Sequence, residues 1–269
     1  MEFRTPVHVP VLSFQIEPLE EMLFVGSCFA DSIGQRFCEE RFGAVVNPYG
    51  TMYNPASVWH TVERFCAEPR TVFPRVVFIT LGTNHVYRLK ETGEIVDNCQ
   101  KRPQRLFDEE ELSVNETVGF LQKTIDLLRF HRVDVQVVLT VSPIRYAKYG
   151  FHESQLSKAV LLLAVERLVK QSGVDYFPAY EIVLDELRDY RFYKEDMLHP
   201  SPQAVEYIWQ QLVACCFSPS ARQFLQAWKP IKEALAHRPF HPESEDYQRF
   251  LAETRQKETE LLARFGKSL

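Results

Sequence analysis

The apolar stretch Leu23-Phe24-Val25 runs into Gly26-Ser27, and Phe29, Ile33 and Phe37 follow at intervals of four. A short continuous apolar run reads as a strand buried on both faces, whereas residues four apart share one face of a helix. A strand that passes through a Gly-Ser turn straight into a helix is the unit from which parallel sheets are built. In such a sheet the turn lies at the carboxyl edge of the strands, where ligands bind. Ser27 therefore stands where a side chain can meet a ligand.

The alternation continues. Gly43 closes the first helix, Ala44-Val45-Val46 is a second strand, Pro55 to Glu68 is helical with proline in its first turn, and Arg75 to Leu81 is the clearest strand. His85 to Lys90 and Glu94 to Asn98 flank Glu91-Thr92-Gly93, a spacing that predicts a hairpin leaving the sheet. Ser113 and Glu116 have capping-box spacing and open a helix to about Phe130. Val135 to Val141 is the fourth strand. A helix from about Ser154 to Gln171 is closed by Gly173, and Val174 to Phe177 is the fifth strand. Right-handed crossovers then give an α/β fold, a flavodoxin-like three-layer α/β/α sandwich with a five-stranded parallel sheet, over residues 1–217. Ser27, Asn84 and Ser142 fall at its carboxyl edge.

Residues 218–269 differ in composition. They predict a charged helical C-terminal extension broken at Pro230 and across His237–Pro242, with Tyr247, Phe250, Leu251, Thr254, Leu261, Leu262 and Phe265 on one face of a last helix that packs on the main domain.

With 45% hydrophobic residues in 269, the chain can bury one large core. The net charge of −5, from 36 acidic against 31 basic residues, leaves no basic field for nucleic acid or an anionic membrane. The opening Met1-Glu2-Phe3-Arg4-Thr5-Pro6 lacks a signal-peptide apolar core, and no stretch is long enough to span a bilayer. Cys28, Cys38, Cys66, Cys99, Cys215 and Cys216 form no Cys-x-x-Cys pair, which predicts reduced thiols in a cytoplasmic protein and no metal site. The expected partner is a small or uncharged molecule.

A serine hydroxyl is a poor nucleophile unless an imidazole takes its proton and a third group fixes the imidazole tautomer. Asp196-Met197-Leu198-His199 offers a carboxylate and an imidazole three residues apart, ahead of the final helix of the α/β pattern. Asn84, after Gly82-Thr83, can donate to an oxyanion, although the same residue also suits a plain turn. Ser27 can equally be a helix N-cap, and the two roles can coexist. Cys28 is a second candidate nucleophile, because a helix N-terminus favours a thiolate; as a small buried residue it would be inert. Arg145, Tyr146, Lys148 and Tyr149, with Tyr190, Phe192 and Tyr193, suit sugar rings or carboxylates, and His85 and His152 are further candidates for substrate contact.

These motifs in this order resemble the GSCFA family of the SGNH (GDSL-like) hydrolase superfamily. The name-giving motif is Gly26-Ser27-Cys28-Phe29-Ala30, and the resemblance runs from Phe3-Arg4-Thr5-Pro6-Val7 through Asn47–Pro55, Thr80–Asn84 and Thr140–Pro143 to Asp196–Pro200. It implies Ser27 as nucleophile, Asp196 and His199 as its partners, and an oxyanion hole made of the Ser27 and Gly50 amides and the Asn84 side chain. Two positions depart from the superfamily pattern: Cys28 beside the serine and His85 after Asn84, where aspartates are usual. The function expected is hydrolysis of a small or carbohydrate-linked ester through a Ser27 acyl-enzyme, without cofactor, with His85, Arg145, Tyr146 and Tyr193 near the substrate. An acyltransferase using the same intermediate and a noncatalytic binding protein are the alternatives. Sequence sets no oligomeric state.

Overall fold

The computed structural model describes residues 4–97, 99 and 102–266. Phe3 of the opening motif and Asn98 at the end of the expected hairpin lie outside them. Five strands, β1 (Glu21–Gly26), β2 (Gly43–Val46), β3 (Val76–Leu81), β7 (Gln136–Val141) and β8 (Val174–Tyr176), form one parallel sheet in the order β2-β1-β3-β7-β8. This is the flavodoxin-like order, whose direction of winding reverses between β1 and β3.

Side-chain alternation divides the core into two layers. Met22, Phe24, Val76, Phe78 and Val138 face α1 (Cys28–Glu39) and α6 (Pro202–Cys216). Leu23, Val25, Val77, Ile79 and Val137 face α2 (Pro55–Ala67), α3 (Val114–His131) and α4 (Phe151–Leu168). The period of two along each strand puts successive residues on opposite faces, so a strand covered on both sides is apolar along nearly all its length, with Thr80 and Thr140 near the carboxyl ends of β3 and β7. The capping box of α3 forms as its spacing predicts, with Ser113 and Glu116 satisfying each other's backbone amides.

The excursion after β3 is larger than a hairpin. β4 (His85–Leu89) pairs antiparallel with β5 (Ile95–Val96), and on its other side with β6 (Phe107–Glu111). Four of the five residues of β6 are exposed and three are glutamates, so neither apolar alternation nor β-propensity marks it in the sequence; backbone pairing to β4 makes it a strand.

After β8 come the short α5 (Ala179–Glu181), a π-turn over Ile182–Leu187 and α6. The extension is two helices, α7 (Pro219–Ala236) and α8 (Glu245–Phe265). The break over 237–242 is present, but α7 runs straight through Pro230. Proline removes one amide donor from a helix; here Trp228 and Ile231 on either side are buried against Phe224, Leu261 and Phe265, and that packing holds the helix together. The extension leans on the far end of α1: Trp228 Nε1 donates to Glu39 O at 3.0 Å, and Arg41 pairs with Glu258 at 2.5 Å.

Phe37 lies at the centre of this side, fully buried, with its ring 4.8 Å from that of Trp209, 5.0 Å from Phe24 and 5.7 Å from Phe217. Phe37→Ala is expected to lower stability by about 3–5 kcal/mol, because the cavity adds to the lost transfer energy. Urea unfolding measures it, and a loss under about 1 kcal/mol would contradict this packing.

Candidate functional site

At the winding reversal the carboxyl ends of β1 and β3 are locked together. Gly26, at φ +136°, has no room for a side chain, since a Cβ there would stand 2.1 Å from Thr80 O. Ser27 N–H donates to that same Thr80 carbonyl at 3.0 Å. Ser27 Oγ shares a hydrogen bond of 3.0 Å with Thr80 Oγ1 and caps α1 by accepting from Phe29 N at 3.3 Å. The residue is 1% exposed. The hydroxyl expected at the sheet mouth is thus turned into the seam between two strands.

Cys28, the next residue, is the first of α1 and only half-buried. Its Sγ lies 3.3 Å from Tyr53 Oη. The loop that carries Tyr53 is fixed from below: Asp31, one turn along α1, accepts from Asn47 Nδ2 at 2.7 Å and Thr51 Oγ1 at 3.1 Å, while Asn47 Oδ1 accepts from Gly26 N at 2.9 Å. Burial and the contact with Cys28 raise the pKa of the Tyr53 phenol, so it remains a hydrogen-bond donor.

Asp196 and His199 meet as their spacing predicts. Asp196 Oδ1 accepts the amides of Leu198 and His199 at 2.8 and 2.9 Å, which closes the turn, and Oδ2 meets His199 Nδ1 at 2.6 Å. These three donors hold the Asp196 pKa down to about 2, so the carboxylate is ionised and Nδ1 carries the proton. Nε2 is left as the acceptor and has no protein partner among the described residues. Lys194 N to His199 O at 2.7 Å and Arg145 N to Leu198 O at 3.0 Å pin the loop.

The loop borders the α1 corner across a cavity and, on its other side, by way of Tyr146. Ser32, one turn beyond Cys28, shares a cavity with Lys194, Pro200 and Pro202. On the other side the Tyr53 ring is 6.3 Å from Tyr146, which adjoins Arg145. Ser27 Oγ is not bonded to His199; its partners are Thr80 and Phe29.

The oxyanion donors implied by the resemblance are engaged in the fold, the Asn84 amide with one of its two N–H groups. Ser27 N–H is bonded to Thr80, Gly50 N–H donates to Asn47 O at 2.9 Å, and Asn84 Nδ2 donates to Leu112 O at 2.8 Å from a side chain only 2% exposed. Asn84 points inward because the small sheet folds over it. His85 is also packed away, its ring stacked 4.0 Å from Tyr149. Arg145 serves the loop, with Nη1 on Met197 O at 3.0 Å and its guanidinium 4.1 Å above Phe151. With Tyr190 and Tyr193 it lines a cavity of about 290 Å³ beside the dyad. Tyr146 faces Tyr53 instead.

The GSCFA family profile matches residues 21–73 and 70–212, and the profile of the GSCFA domain protein, C-terminal domain, matches residues 228–267. The chain belongs to the GSCFA family. No curated protein matches it. Among solved structures it is similar to a member of the lipolytic protein G-D-S-L family from Veillonella parvula DSM 2008, at 12% identity and TM-score 0.47, over 72% of this chain and 97% of that one. A family two carbohydrate esterase from Clostridium thermocellum, in complex with cellohexaose, matches at 13% identity and TM-score 0.46, over 76% and 65%. A carbohydrate esterase family 3 protein from Talaromyces cellulolyticus matches at 10% identity and TM-score 0.43, over 78% and 99%.

Sequence reasoning gave no role to four residues around this GSCFA motif, although Asn47 and Thr80 open two of its blocks. Thr80, Asp31 and Asn47 organise the turn and its covering loop, and Lys158 lies beneath the sheet edge. Asp31 and Asn47 carry a faint signal, as a carboxylate in the first turn of α1 and a residue before proline at φ +39°. Lys158 carries none. It is completely buried, and Nζ donates to Gly82 O at 2.7 Å and Ser142 O at 2.8 Å, tying β3 to β7. Burial pushes its pKa down to about 7. A folded value below the unfolded one, roughly 10.4, means that the unfolded chain binds more protons between the two, so this residue adds stability as pH rises from 7 and loses it as pH falls through 7. The Tm gap between wild type and Lys158→Met is therefore expected to widen from pH 6 to pH 9, and a gap constant with pH would reject a buried, pH-responsive amine.

Proposed function

We propose that this protein is an ester hydrolase, removing the acyl group of a small or carbohydrate-linked ester through an acyl-enzyme formed at the Ser27–Cys28 turn. The observation that carries the reading is the dyad: an ionised Asp196 fixes the His199 tautomer and leaves Nε2 free as a base, on a loop whose neighbours reach the first turns of α1. An oriented neutral imidazole is what a hydroxyl or thiol nucleophile needs. Its place at the switch point of a flavodoxin-like sheet, where such folds bind ligands, supports the same reading.

In the proposed cycle His199 Nε2 takes the nucleophile's proton as the nucleophile adds to the ester carbonyl. It then gives that proton to the departing alcohol, and later takes one from the water that releases the acid. Asp196 stays ionised throughout and stabilises the imidazolium. The cavity lined by Arg145, Tyr190 and Tyr193 offers an aromatic wall to the alcohol portion, which favours a ring-bearing substrate such as a sugar.

Turnover of p-nitrophenyl acetate and of acetylated oligosaccharides tests this. His199→Ala is expected to lower kcat/KM by about 10³-fold or more, and Asp196→Asn, which keeps an acceptor for the two turn amides, by about 10³–10⁴ through the wrong tautomer. Circular dichroism should show both variants folded. Undiminished turnover in His199→Ala would end the proposal.

A further inference from the structure

We infer that the atom that attacks the ester is Cys28 Sγ and not Ser27 Oγ. This rests on the acyl-enzyme reading above and names the residue that holds the acyl group.

A nucleophile must reach its substrate, and the two neighbours differ in this. Ser27 is 1% exposed and wedged where Gly26 already touches Thr80, and both its hydroxyl and its amide are bonded within the β1–β3 seam. Turning Oγ outward would forfeit the cap on Phe29 N and the Thr80 contact together. Cys28 needs no such rearrangement. It follows the seam, stands half-buried at the start of a 12-residue helix, and among the described residues its thiol shares a hydrogen bond with the Tyr53 hydroxyl alone.

The oxyanion donors give a second, independent argument. The amides of Ser27 and Gly50 are spent on Thr80 and Asn47, and the buried Asn84 side chain points at Leu112. The Cys28 amide has no acceptor within the protein among the described residues: it belongs to the first residue of α1, where no helical carbonyl is available. A thiolate that attacks a carbonyl places the resulting oxyanion close to its own backbone amide, at the positive end of a helix. One residue thus supplies both nucleophile and donor. For Ser27 the corresponding amide is already taken.

The chemistry balances without a co-reactant beyond water. His199 Nε2 takes the thiol proton; Sγ forms a bond to the carbonyl carbon, the carbon–oxygen bond to the alcohol breaks, and the alcohol leaves with that proton. Water, deprotonated by His199, then attacks the thioester, the carbon–sulfur bond breaks, and the sulfur regains its proton as the acid departs. Tyr53 Oη, 3.3 Å from Sγ, can donate to the thiolate between these steps.

The test is to mix the full chain with p-nitrophenyl acetate, quench in acid during the first turnover and map the acetyl group by peptide mass spectrometry. The expected result is an acetyl on Cys28 that neutral hydroxylamine releases, as a thioester must, and that is missing from His199→Ala. Cys28→Ala should lose the adduct and at least about 10³-fold in turnover, whereas Ser27→Ala should keep the Cys28 adduct and melt at lower temperature, as a lost N-cap requires. Mapping in the wild type decides the matter even if a variant misfolds. An acetyl on Ser27 that survives neutral hydroxylamine would overturn the assignment to Cys28 and leave the acyl-enzyme reading intact. No acetyl on either residue and no burst of p-nitrophenolate would overturn both.

Discussion

The contact on which the site depends is the seam between β1 and β3, where Gly26, Ser27 and Thr80 close the parallel sheet at its winding reversal. The pairing of the two strands runs to Gly26 opposite Thr80, and the crossovers on either side leave in opposite directions beyond it. Here Thr80 directs both its carbonyl and its hydroxyl at Ser27, and glycine at position 26 lets the backbones approach. Because the seam holds Ser27, the start of α1 is fixed, and with it the direction in which Cys28 projects. A hydrogen bond of each kind, buried and fully matched, is worth more here than in solvent, since an unpaired hydroxyl in this position would keep its desolvation cost.

The elements around the seam are held by local devices of a few residues each. Asp31 and Asn47 tie the covering loop to α1 and to Gly26, so the Tyr53 hydroxyl arrives at Cys28 from a supported backbone. Asp196 closes its own turn with two amides and spends its other oxygen on His199, so one carboxylate fixes both the loop and the imidazole tautomer. Arg145 clips that loop from outside through Met197 O while packing over Phe151. Lys158 ties β3 to β7 under the same edge. Each ties a loop or a strand end at this edge to a neighbouring regular element.

The C-terminal helices act on the opposite end of α1. Trp228, Arg41 and Glu258 anchor the extension to the segment around Glu39 and Phe42, and Phe224 meets Phe42 edge to face at 6.3 Å. α1 is therefore gripped at both ends, at Ser27 by the sheet and at Glu39 by α7. The first residue of α1 therefore follows a turn fixed by the sheet, and its last residues rest on α7.

The sequence by itself determined the layered fold, because short continuous apolar runs alternate with stretches whose apolar residues recur at helical spacing, and neither pattern needs a partner to be seen. It also pointed to the Asp196–His199 pair, since residues three apart can meet across one turn, and the amides of Leu198 and His199 close that turn onto Asp196. Other features waited for the tertiary structure. The strand β6 is polar and exposed and exists only through its ladder to β4; α7 passes Pro230 because Trp228 and Ile231 are buried beside it. Above all, Ser27 and Cys28 are adjacent in a motif that either could serve, and no local rule ranks them. Thr80, 53 residues away, turns Ser27 into the seam and leaves Cys28 half-buried beside Tyr53, because hydrogen bonds between distant strands leave no mark on the spacing of residues within either one.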